Sequence, residues 1–197
     1  AHIWTLNGTH DYLIENGIIP DALVMLDSRE HNVDFVQNPH RDVTYYIAAR
    51  CHPKVFSALN GYDVRLWHSV IDQDKDIELM KGRGILIGGG STVGLRAMYL
   101  AWVALGYYKF HLYGFDSSYR DDENHAYRQD ANKNDIASSV WVGDREFKAA
   151  PWMANQATGF AEQCKQMAPR GCEINVHGDG LLPYVASLLS EGKEVQP

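Results

Sequence analysis

The sequence predicts an α/β protein built on a doubly wound, mainly parallel sheet, with helices on both faces and one long lid-like excursion. Three observations carry that reading. Short apolar runs alternate with helical stretches along most of the chain. The stretch Gly84 to Tyr119 reads as strand, glycine turn, buried helix and strand, which requires a right-handed crossover in a parallel sheet. From Ser117 to Ala150 the alternation stops and a polar, aromatic segment intervenes.

Taken in order, His2 to Leu6 alternates as a strand, and Thr9 caps a helix over Asp11 to Asn16 that Gly17 and Pro20 end. Ala22 to Leu26 is apolar throughout, as in a strand buried on both faces. A short helix over Asn32 to Gln37 gives way at Asn38-Pro39 to a strand, Val43 to Ala49. Pro53 takes the first helical position before Lys54 to Leu59, and Asp63 to Trp67 forms the next strand. A polar stretch with Asp72, Asp74 and Asp76 follows. Ile85 to Ile87 is then cut by Gly88, Gly89 and Gly90. Ser91 and Thr92 are placed to cap a helix from Val93 to Leu105, and Phe110 to Tyr113 is expected as a central strand beside Ile85 to Ile87. Within the excursion, Val140 to Val142 and Phe147 suit a short hairpin. A helix from Pro151 to Met167, a strand from Glu173 to Val176 and a helix from Leu181 to Leu189 complete the pattern, which reads as one domain over residues 1–197.

Ligands on such sheets sit beyond the strand C-termini. That edge receives Asn7, Asp27, Ser28, Ala49, Arg50, His68, Ser69, Gly88 to Thr92, Gly114 and Asp116. Backbone N–H groups at a helix N-terminus, cleared of side chains by glycine, bind phosphate, so the turn before Val93 is the candidate anion site. Gly88, Gly90 and Gly94 form G-x-G-x-x-x-G, with Val93 where a dinucleotide fingerprint has its third glycine. An NAD-dependent oxidoreductase is therefore the weaker reading, and the same glycines also suit a purely structural turn.

The excursion carries Tyr119, Arg120, Asp121, Asp122, Glu123, His125, Tyr127 and Arg128, and reads as a lid bringing Tyr, Arg and His to a phosphate. His125 suits general acid–base work or a solvated surface. The acidic run suits Mg²⁺ or, again, a solvated face. Trp67, Trp141 and Trp152 suit either an aromatic pocket wall or core packing.

Composition narrows the classes. The 197 residues carry a net charge of −7, with 18 Lys and Arg in no run, which excludes a broad nucleic-acid-binding face. No apolar segment is long enough for a membrane span, and the chain opens on an alternating run rather than a signal segment. Cys51, Cys164 and Cys172 lack metal or disulfide spacing, so a reducing cytoplasm is expected.

The combination GGGSTVG, a helix ending in LG, then YGFDSSY followed by DDENHAY, resembles the MptE-like family. N-G-T-H-D-Y-L, P-D-A-L-V-M-L-D and I-N-V-H-G-D-G add pattern-level agreement from about Ile3 to Ser187. The family is named for archaeal 6-hydroxymethylpterin diphosphokinase and includes motility accessory factors and phage proteins. The chain is similar, more distantly, to bacterial sialyltransferases that use CMP-sialic acid. The resemblance implies a Rossmann-like nucleotide-binding domain, with Asn7, Asp27, Gly88, Gly89, Gly90, Ser91, Thr92 and Gly114 at the nucleotide and Asp116, Tyr119 and His125 as catalytic residues. It also implies an extra N-terminal strand and a G-x-G-P-S-like turn, for which Asn7-Gly8-Thr9 is a partial counterpart.

The function expected first is a nucleotide-dependent, glycosyltransferase-like enzyme with a CMP-sugar donor and a small-molecule acceptor. The alternatives are an ATP-dependent, Mg²⁺-using 6-hydroxymethylpterin diphosphokinase and a non-catalytic nucleotide-binding or assembly module.

Overall fold

A computed structural model describes residues 1–70, 73–80, 84–120 and 135–193, apart from the side chains at positions 73, 74 and 79. The fold is the expected mixed α/β architecture, a mostly parallel sheet flanked by helices. Residues Ala1–Gly88 with Thr92–Leu100 form one compact unit, and Gly89–Ser91 with Ala101–Pro197 form a second.

The first unit is built on five parallel strands, β1 (Trp4–Leu6), β2 (Ala22–Met25), β3 (Thr44–Ala48), β4 (Asp63–Ser69) and β5 (Leu86–Ile87), lying in that order without reversal. Their connections carry α1 (Thr9–Glu15), a 3₁₀ turn (Glu30–Val36), α2 (Pro53–Ala58) and α3 (Gln73–Leu79), and α4 (Val93–Tyr99) follows β5. All four residues of β2 are buried, as in a strand covered on both faces, and α4 packs against it. Leu23, Met25, Tyr45, Ile47, Trp67 and Leu95 fill this core.

The second unit pairs β6 (Lys109–Leu112) in parallel with β9 (Glu173–Val176), and β7 (Ser138–Val142) antiparallel with β8 (Arg145–Ala149). Helix α5 (Pro151–Met167) packs on α6 (Leu181–Ser190) and on β8. Phe160, Met167, Leu181 and Leu182 form its core.

Several expectations change. Strand β5 pairs with β4 in the first unit, and β6 pairs with β9 in the second; both runs are apolar enough for burial, but apolarity does not choose a partner. Thr9 is the first helical residue of α1 rather than its cap, and that role falls to Gly8. The polar stretch, for which no element was expected, carries α3. Residues Leu100–Ala104 continue α4 as a π-helical turn. Trp67 is a core residue, 1% exposed. The hairpin in the excursion is present, whereas 121–134, with His125 and the acidic run, lie outside the described residues. Among the described residues no helix is long and apolar enough to cross a membrane.

Candidate functional site

The parallel sheet of the first unit delivers a row of polar residues at its C-terminal edge. In strand order these are Asn7 after β1, Asp27 after β2, Arg50 after β3, His68 and Ser69 at the end of β4, and Gly88 after β5. At about 4.8 Å per strand, the row spans about 19 Å from Asn7 to Gly88. Asn7 and Gly88 therefore lie too far apart to contact one phosphate.

Asn7 is held in the left-handed region at φ 48°, and its amide N–H donates to the Val24 carbonyl at 3.5 Å. Its side-chain Oδ1 is buried without a hydrogen-bond partner among the described residues. Such an orphaned atom is costly unless a ligand or water satisfies it. Asp27 is already engaged. Arg29 donates its backbone N–H to Oδ1 at 2.9 Å and its guanidinium pairs with Oδ2. Burial works to raise the Asp27 pKa, but the Arg29 hydrogen bonds and the Arg29 and His31 charges outweigh it and hold the carboxyl below its ordinary value. Asn32 donates to the Asp27 carbonyl at 3.1 Å, and Glu30 pairs with Lys54 at the start of α2, so this loop is tied on both sides.

The richest chemistry lies at the ends of β3, β4 and β5. A cavity of about 160 Å³ is lined by Ala49, Arg50, His68, Ser69, Asp76, Met80 and Leu86. Behind it, Arg96 of α4 donates to the Ile87 carbonyl at 2.7 Å and to the Val70 carbonyl at 2.9 Å, tying β4 to β5 at their C-termini. Burial lowers the Arg96 pKa, and the nearby positive charge of Arg50 lowers it further. Two like charges sharing one strand edge favour an anion between or beside them. The His68 ring lies over Gly84, whose added Cβ would meet it at 3.2 Å, so the imidazole has a fixed floor.

The glycine turn continues from β5. Gly89 and Gly90 adopt φ 80° and 76°, which L side chains rarely enter, whereas Gly88 has open space around it and no positive φ. Thr92 caps α4, its hydroxyl accepting from the Leu95 N–H at 3.5 Å. Ser91 contributes no side-chain cap to this helix.

In the second unit, Gly114 follows β6 at φ 66° and leads to Asp116. The Asp116 carbonyl accepts from Leu182 N–H at 3.0 Å and the Ser118 hydroxyl accepts from Leu181 N–H at 3.1 Å, so the loop caps α6. The Asp116 carboxylate lies against Gly178, where an added Cβ would stand 2.5 Å from Oδ1. Ser117, at φ 51°, is pinned by a buried hydrogen bond to the Gln156 side chain at 3.0 Å. Tyr119 donates to Asp135 at 3.5 Å, and Trp152 donates to the same oxygen at 2.6 Å. Burial, then the Asp135 charge, raises the Tyr119 pKa, which keeps the phenol a neutral donor.

Of the residues singled out from sequence, Asn7, Asp27, Gly88 and Thr92 therefore share the first unit. Gly89, Gly90, Ser91, Gly114, Asp116 and Tyr119 fall in the second. His125 lies outside the described residues. Sequence reading assigned no role to Arg50, His68 or Ser69 beyond their position at strand ends, and none to Arg96. The signal for Arg96 was a lone cation four residues into an otherwise apolar helix. Among the described residues no group of three or more His, Cys, Asp and Glu is arranged to hold a metal.

The family described as 6-hydroxymethylpterin diphosphokinase MptE-like matches residues 1–122, which include every nucleotide-binding and catalytic candidate except His125. No curated protein and no solved structure matches the chain, so the likeness to sialyltransferases gains no support from them. The match spans more than half of the 197 residues, and the chain belongs to the 6-hydroxymethylpterin diphosphokinase MptE-like family.

Proposed function

We propose that this chain is a nucleotide-dependent transferase whose donor phosphates bind at the ends of β3, β4 and β5. The observation that carries the reading is the cavity lined by Arg50, His68 and Ser69, with Arg96 behind it. The Arg50 guanidinium, an imidazole and a hydroxyl are suited to phosphate oxygens, and fixed donors of this kind stabilise charge that develops on a transferring phosphoryl group. The glycine turn from Gly88 to Thr92 is a second candidate for anion binding through its backbone N–H groups, and the orphaned Asn7 Oδ1 suits a hydroxyl or amino group of the nucleotide.

Family membership favours ATP as donor and a hydroxymethyl-bearing heterocycle as acceptor over the CMP-sugar chemistry expected first. In that reaction the acceptor oxygen attacks the β-phosphorus of ATP, the bond from that phosphorus to the α,β-bridging oxygen breaks, and AMP departs. The acceptor hydroxyl proton passes to a base, for which we assign His125, with Asp116 and Tyr119 orienting the acceptor. Mg²⁺ keeps several waters and needs only one or two carboxylates beside phosphate oxygens. Asp76, which lines the cavity, would serve as one such carboxylate, and the ion's charge would offset part of that on the phosphates. The three cysteines are free thiols, in keeping with the cytoplasm.

The test is a thermal-shift and calorimetry panel of ATP, CMP, CDP and NAD with and without Mg²⁺, followed by turnover of ATP with 6-hydroxymethylpterin. ATP binding that Arg50→Ala abolishes, with AMP and a pterin diphosphate as products, is the expected result. His125→Ala should then lower turnover about 10² to 10⁴-fold while ATP affinity holds. Tight CMP binding with no response to ATP would return the sugar-transfer reading. Affinity without turnover toward any acceptor would make the chain a binding module, and ATP affinity indifferent to Arg50 would sink the cavity as the phosphate site.

A further inference from the structure

The second unit carries an aromatic arrangement that the phosphate site does not use. Residues alternate across the two-stranded sheet of β6 and β9, with His111 opposite Asn175 and Leu112 opposite Val176. His111, Tyr113 and His177 therefore share one face, while Phe110 and Leu112 point to the other. On the shared face Tyr113 stacks on His177, the rings parallel within 5° with centroids 4.3 Å apart, and His111 lies beside His177, edge to edge, at 18° and 5.3 Å. One imidazole donates to the other between His111 Nδ1 and His177 Nε2 at 3.0 Å, which fixes the orientation of the ring beneath Tyr113.

The tyrosine at the end of this stack is 72% exposed. It stands at the C-terminal end of its strand, the edge at which sheets of this kind receive ligands. Glycines follow both partners. An added Cβ at Gly114 would meet nothing within 4 Å, so the chain directly after Tyr113 is uncrowded. Gly178, at φ 131°, follows His177, and the Asp116 carboxylate already occupies the space a side chain there would need. The result is a flat aromatic surface, rigid below and open above. Rings held in place in advance lose little freedom on binding, and aromatic faces take flat heterocycles with little regard to sequence or substituent.

We propose that Tyr113, backed by His177, is a stacking platform for a planar bicyclic heteroaromatic ring. Two sources supply that chemistry, the purine of a nucleotide and the pterin ring of an acceptor. Only this choice of rings rests on the transferase reading; the platform itself rests on the stack.

The experiment titrates the full-length protein separately with adenosine, 6-hydroxymethylpterin and inorganic pyrophosphate, using calorimetry for affinity and NMR of the aromatic side chains for contact. At least one of the two rings should bind and shift the Tyr113 and His177 ring protons upfield. Tyr113→Ala should weaken that ring about 5- to 150-fold, and Tyr113→Phe should keep it within about twofold, because the face matters and the hydroxyl does not. Pyrophosphate affinity should be indifferent to Tyr113 and sensitive to Arg50. Adenosine alone responding to Tyr113→Ala identifies the donor base, and pterin alone identifies the acceptor. Failure of both rings to bind, or binding that Tyr113→Ala leaves unchanged, overturns the platform whatever pyrophosphate does. Ring binding with no pyrophosphate affinity overturns the phosphate site and leaves the platform standing.

Discussion

Arg96→Met tests how the cation-lined strand edge is held together. The guanidinium donates to the Ile87 carbonyl at 2.7 Å and the Val70 carbonyl at 2.9 Å, the last residue of β5 and the first beyond β4. The Ile87 carbonyl also accepts from the Val70 N–H at 3.0 Å, and the Ile85 carbonyl from the His68 N–H at 2.8 Å, so Arg96 reinforces the pairing that holds a two-residue edge strand. Hydrogen bonds to a charged group contribute about 1.5–3 kcal/mol each, so two give about 3–6 kcal/mol before costs. Burial and the Arg50 charge both push the Arg96 pKa down, which means that the folded state holds this charge less readily than water does. The net loss in Arg96→Met is therefore put at about 2 kcal/mol, with the methionine keeping most of the aliphatic packing. Because the chain forms two compact units, global unfolding need not be two-state, and amide hydrogen exchange is the cleaner assay. A loss of about 2 kcal/mol corresponds to exchange about 30-fold faster at Val70 and His68, with amides of the β2–β3 ladder unchanged. Protection at Val70 and His68 staying within threefold of the parent protein would show that Arg96 does not secure this edge.

Gly180→Ala should destabilise the second unit by about 1–3 kcal/mol, since the added Cβ would sit 2.6 Å from the Asp116 carbonyl oxygen and 2.8 Å from its Cα; an unchanged urea midpoint would contradict that packing. Gly90→Val should remove nucleotide and phosphate binding while circular dichroism still reports the fold, because φ 76° disfavours a β-branched residue and its bulk shields the backbone amides. Gly88→Ala should leave the fold intact, having open space and no positive φ, and full affinity in Gly90→Val would make the turn structural only. Asp27 has a depressed pKa in the folded state, so its stabilising effect is present above the ordinary value of 3.8 and is lost as pH falls through the folded value. Asp27→Asn should accordingly be less stable than the parent near neutral pH, with the gap closing in acid; a gap equally wide at every pH would mean that the charge is not the cause.

Sequence legibility followed the physics of each element. Helix α5 was found at both ends because Pro151 supplies its fixed φ at the first turn and the buried positions Met153, Ala157, Phe160 and Ala161 keep helical spacing. Strand β9 and the β7–β8 hairpin were likewise legible, the first from a short run between turns and the second from alternation around Gly143-Asp144. Helix α3 was missed because Gln73, Asp74, Lys75, Asp76 and Glu78 leave Ile77 and Leu79 as its only apolar residues, so the stripe that announces a helix is too thin. The partner of β5 was not legible for a different reason. Its apolar side chains report burial, but its pairing with β4 is made by backbone hydrogen bonds from Val70 and His68 that no side chain encodes.

The site divides the same way. Residues delivered by strand ends could be named from the alternation, since a parallel strand must end at the ligand edge wherever its apolar run stops. What could not be read was which of them are already tied up within their own loop. Asp27 drew attention as a lone strand-end carboxylate, yet Arg29, two residues on, folds back and pairs with it, which makes it a fastening for its own loop. Arg50 looked no more distinctive than its neighbours, yet it lies close to a half-buried Arg96 arriving from a distant helix, and that coincidence turns an ordinary strand end into an electropositive one. The helix carrying Arg96 reaches the edge because its apolar residues, Leu95 and Met98 among them, pack beneath it. The cation is thus positioned by hydrophobic residues on either side of it in the sequence. A charged residue inside an apolar helix has to satisfy its donors somewhere, and here Arg96 spends two of them on strand-end carbonyls.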